Sequence, residues 1–146
     1  ADVVYARGED FLRLRTYGDY HGVKVNTIDR SAEVVLTTLH AIYKEGILTL
    51  NDAMTIITWL DDDAVKLCRQ LRCGRALELA LSIILSSISG SLTLPYKLSM
   101  GLWAVNLLAR VLGHREYAPS LMQGVRRVWD GRSISQFINR IVRVSY

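Results

Sequence analysis

Arginine supplies the first chemistry this sequence offers. Lys66, Arg69, Arg72 and Arg75 recur at three-residue intervals around the stretch LCRQLRCGR, and Arg126, Arg127, Arg132, Arg140 and Arg143 form a second group near the other end. A guanidinium is planar, keeps its charge at any physiological pH and donates paired hydrogen bonds to phosphate or carboxylate. Of the 18 basic residues 14 are Arg, which favours binding over simple solvation. The formal net charge is only +4, but residues 1–63 carry 6 basic and 11 acidic side chains and residues 64–146 carry 12 and 3. The two halves therefore have opposite sign, and the Arg groups fall in the half that has almost no acids.

Other residue types point away from catalysis. Asp61, Asp62 and Asp63 are consecutive, so their side chains diverge and suit a helix start better than a shared cation. His21, His40 and His114 are scattered, with no Cys or acid at metal-ligand spacing. No Gly-x-Ser-x-Gly elbow and no glycine-rich phosphate loop occurs. Cys68 and Cys73 lie five apart on one expected helix, where side chains diverge too far to bridge, and this predicts a reduced, intracellular protein, cytoplasmic or nuclear. The acidic and aromatic first residues do not read as a basic-then-apolar leader. We expect no enzyme activity and no cofactor.

The elements that must position the arginines read mostly as helices. At 146 residues the chain can bury one core without disulfides or metals. Its mean hydropathy of +0.17 suggests that some apolar surface meets a partner. Residues 1–30 form an arm, with short strands at about 11–17 and 20–26 around a Gly18–Asp19 turn. Residues 31–146 form the bundle. The helical period predicts helices over 31–46, capped by Asp29 or Ser31 and stopped at Gly46, and over 49–60, where Thr49 and Asp52 have capping-box spacing. Further helices are predicted over 61–74, 75–89, 95–113, 119–129 and 133–144, the last with a Ser133–Gln136 capping box. The expected fold is all-α: a single domain of about seven helices around a buried central one, residues 75–89, with a short N-terminal β-hairpin.

Helix 75–89 raises two further questions. Glu78 is a carboxylate between leucines in the greasiest segment. If the helices on either side of residue 92 fold back on each other, position 78 mirrors 106, and Glu78, Arg110 and Asn106 become a buried polar group. The alternative is Glu78 pairing with Arg75 and reaching water. Residues 79–96 also form 18 uncharged positions, the lower limit of a membrane span, but Gly90, Pro95 and six Ser or Thr interrupt them. A core helix is the preferred reading.

The stretch LTTLHAIYKEGILTLNDAMTIITWLDDDAVKLCRQL, about a quarter of the chain, resembles a helix-turn-helix arrangement. That resemblance implies a recognition helix carrying Lys66, Arg69 and Arg72. It departs in lacking the usual turn Gly, and Asp61 to Asp63 would face phosphate. Sequence-specific reading of DNA is accordingly not expected. The preferred expectation is a non-enzymatic module that binds a polyanion through its Arg-rich faces, RNA ahead of DNA and with little sequence choice, as a homo-oligomer. A protein-interaction adaptor is the first rival, and a peripheral membrane or matrix-type protein the second.

Overall fold

The structure is a computed structural model that describes residues 11–113. A hairpin comes first, with β1 (Arg15–Tyr20) antiparallel to β2 (Val23–Ile28) and Arg15 opposite Ile28. Its turn is His21–Gly22, not the expected Gly18–Asp19. Both turn residues have positive φ, 52° and 81°, the conformation whose twist matches the flanking strands. Asp19 holds the turn by accepting a hydrogen bond from the Gly22 amide at 2.8 Å, and Gly18 lies within β1 opposite Val25. Both faces of the hairpin meet solvent.

The core is organised by α1 (Arg30–Leu39) and the single π-helical stretch that continues it, His40–Glu45. Asp29 caps α1 by accepting from Ser31 N at 2.9 Å. Beyond Arg30, no residue of α1 is exposed, and Ala32, Val34, Val35 and Leu39 are wholly buried. Small and β-branched side chains let neighbouring helices approach closely on several sides. Gly46 ends the run with φ 65°, where an added Cβ would press on Trp103 at 3.2 Å.

Four more helices follow. These are α2 (Leu50–Trp59), α3 (Asp62–Gln70), α4 (Gly74–Ile88) and α5 (Met100–Gly113). The capping box of α2 is present, with Thr49 N donating to Asp52 and Asp52 N donating to the Thr49 hydroxyl. Asp61 caps α3 by accepting from Ala64 N at 2.7 Å, and it also accepts from the Ser31 hydroxyl, which joins the first turns of α1 and α3. These contacts hold its carboxyl below the usual range, chiefly the Ala64 amide bond.

Two expectations about the bundle are corrected. Among the described residues the fold is five α-helices with two small antiparallel sheets, and it is not a seven-helix bundle. The second sheet pairs β3 (Ile47–Leu48) with β4 (Tyr96–Lys97). Pairing across the fold keeps Tyr96 and Lys97 extended, and α5 starts at Met100 instead of 95. The expected helices over 119–129 and 133–144 lie outside the described residues. The central helix is also α1 and not α4. Ala76, Leu77, Ala80, Ile83 and Ile84 of α4 are buried, but Arg75, Glu78, Ser82, Leu85 and Ile88 are exposed.

Candidate functional site

The arginines of the first group flank the chain reversal where α3 gives way to α4. α3 ends at Gln70, and Arg72 takes a left-handed φ of 51°, which turns the chain sharply. That turn brings the Cys68 and Cys73 Cα atoms to 5.0 Å, and the two sulfurs are joined as a disulfide. The expectation of diverging, reduced thiols fails because the helix does not run through both positions. The argument for a reducing compartment drawn from them fails with it.

α5 closes the corner from beneath. Arg110 is 5% exposed and its guanidinium donates to the carbonyls of Leu71 and Arg72, the latter at 2.8 Å. It also lies 5.8 Å from the centre of the Tyr43 ring, a distance at which a cation is attracted to the aromatic face. Arg72 reciprocates, donating to the Gly113 carbonyl at 3.1 Å. Trp103 adds a third tie through its indole N–H to the Tyr43 carbonyl at 3.0 Å. Burial pushes the Tyr43 hydroxyl up from its ordinary pKa, opposed by the charges of Arg110 and Arg75.

The expected group of Glu78, Arg110 and Asn106 is not assembled. Glu78 lies on the exposed face of α4, and Asn106, although buried, donates to the Leu102 carbonyl of its own helix at 2.8 Å. The mirror about residue 92 assumed a simple helical hairpin, whereas β4 and its flanking turns separate α4 from α5. Arg110 instead holds the Leu71 and Arg72 carbonyls at the corner.

The outer surface carries the rest. Lys66, Arg69, Arg72 and Arg75 are all exposed. Lys66 is 2.9 Å from Asp63, and this contact raises its pKa. Among the described residues no carboxylate lies within ion-pair distance of Arg69, Arg72 or Arg75. Between Arg72 and Arg75 sits the start of α4, which has no side-chain cap and no acid in its first turn. The Ala76 amide returns to the Cys73 carbonyl, which leaves the Gly74 and Arg75 amides at the start of this 15-residue helix to offer an anion a partial positive charge. Sequence spacing found the four cations. It set Arg110 beside Glu78 instead of the corner carbonyls, and it missed the bridge and the uncapped helix start, for which the absence of Ser, Thr, Asp or Asn at position 73 was the available signal. Arg126, Arg127, Arg132, Arg140 and Arg143 lie outside the described residues.

Among the described residues no group of His, Cys, Asp and Glu is placed to hold a metal ion, and no helix is long and apolar enough to cross a membrane. No family model matches the chain, nor does any curated protein or solved structure.

Proposed function

We propose that this protein is a non-enzymatic module that binds a polyanion, single-stranded RNA ahead of DNA, with the α3–α4 corner engaging phosphates. One observation carries the reading: Arg69, Arg72 and Arg75 stand exposed on either side of an uncapped helix start, and no carboxylate among the described residues is paired to them. Guanidinium forks and helix-start amides hold phosphate oxygens without reading bases, so little sequence preference follows. The arginines of residues 126–143 extend the same chemistry by composition.

The test is fluorescence anisotropy with a labelled random-sequence RNA oligonucleotide. Changing Arg69→Glu together with Arg75→Glu removes two contacts and adds two repulsive charges, and it should weaken binding by at least about tenfold at physiological salt. An Arg140→Glu, Arg143→Glu double variant should weaken it further when combined with the first. Undiminished RNA affinity in all of these variants would overturn the reading. Loss of binding to phosphatidylserine vesicles, with no RNA affinity in the parent protein, would place the same cations on a lipid surface instead.

A further inference from the structure

We propose that the outward face of α5 is where two copies of this chain pair, helix against helix. The exposed residues of α5 are Met100, Gly101, Leu102, Val105, Leu108, Leu112 and Gly113, and none bears a charge. Leu112 is 80% exposed and Val105 55%. The inner face of the same helix holds Asn106 and Arg110 beside Leu107 and Val111, so the outward face is the more uniformly apolar of the two.

Three features favour a second copy as the occupant. Gly101, Val105, Leu108 and Leu112 are spaced by four, three and four residues, the seam of a two-helix coil, with β-branched Val and then Leu in the order that favours pairs. A Cβ built on Gly101 would meet nothing within 4 Å, so a neighbouring backbone can come close at that end. The face is uncharged, so bringing it against itself about a twofold axis costs no repulsion, whereas an acidic or basic partner helix would find nothing to pair with. Size agrees as well. The exposed apolar side chains of α5 offer on the order of 500 Å², the upper range for a patch on a monomer. Two such faces bury at most on the order of 1,000 Å², the threshold for a specific interface.

Sedimentation equilibrium on the full chain tests this. The parent should give twice the 16.5 kDa monomer mass, and Leu108→Glu should give the monomer mass with an unchanged far-ultraviolet circular dichroism spectrum. Met54→Glu, on the exposed side of α2, should leave the dimer intact. A monomeric parent, a dimer that survives Leu108→Glu, or one that Met54→Glu dissociates would each overturn the proposal. If Leu108→Glu fails to fold, Leu108→Cys decides. Mild oxidation should yield a covalent dimer on a non-reducing gel, and only monomer there would overturn the pairing.

Discussion

α1 and α5 meet the same interior with different chemistry. α1 buries Ala32, Val34, Val35 and Leu39, each fully removed from solvent. α5 buries Asn106 and Arg110 beside Leu107 and Val111 and leaves its row of Leu and Val outside. The first helix is held by non-directional burial, worth roughly 1.5–3 kcal/mol for each buried Val or Leu. The second is held in large part by directed contacts, from Arg110 to the Leu71 and Arg72 carbonyls and from Trp103 to the Tyr43 carbonyl. One helix therefore serves the core, and the other serves as a clamp on the α3–α4 corner with a surface to spare.

The sharpest way to break this comparison is to make one substitution in both regions. Leu39→Ala should cost about 2–5 kcal/mol in urea unfolding. Leu112→Ala, in protein dilute enough to be monomeric, should stay within about 0.5 kcal/mol of the parent. Similar losses at both sites would show that α5 is packed like α1.

Next in size is Arg110→Leu, which strips two charge-assisted hydrogen bonds from the corner. A loss of roughly 1.5–3 kcal/mol is expected by the same measurement. A neutral or stabilising result would mean that apolar packing, not the guanidinium, seats α5. Thr49→Ala removes one half of the α2 capping box and should cost about 1 kcal/mol, independent of either helix face.

The smallest effect belongs to Asp61. Its folded pKa is lowered, so its charge contributes stability that is present above the unfolded carboxylate pKa and is lost as pH falls through the folded value. Asp61→Asn retains a capping side chain, so it should be modestly less stable than the parent at neutral pH, with the gap closing in acid. Thermal melts of the pair from neutral pH down to pH 3 would read this, and a gap that widened in acid would reverse the assignment.

What the sequence could and could not convey follows the range of the forces involved. The Gly46 stop, the Thr49–Asp52 box and the Asp61 cap are local hydrogen-bonding devices, and each is where spacing predicts it. The hairpin turn lies three residues beyond its expected place because Gly18–Asp19 has only the composition of a turn, while His21–Gly22 takes the pair of positive φ values that the turn requires. Overall greasiness makes α4 the expected central helix. Yet Arg75, Glu78, Ser82 and Ser89 already marked a face at helical spacing that water could take. The start of α5, the Cys68–Cys73 bridge and the Arg110 contacts depend on chain reversal at Arg72 or on pairing with residues 38 to 50 positions away. No local pattern encodes those. For the candidate site, the exposed cations were legible and the platform that presents them was not.

The central claim is that the α3–α4 corner holds phosphates, and the salt dependence of RNA binding tests it most directly. Three phosphates neutralised on a single strand predict that log affinity falls against log salt concentration with a slope of about −2 from this corner alone. Arg69→Gln with Arg75→Gln should reduce that slope by about 1.4. A slope near zero, or one that the double variant leaves unchanged, would contradict the account.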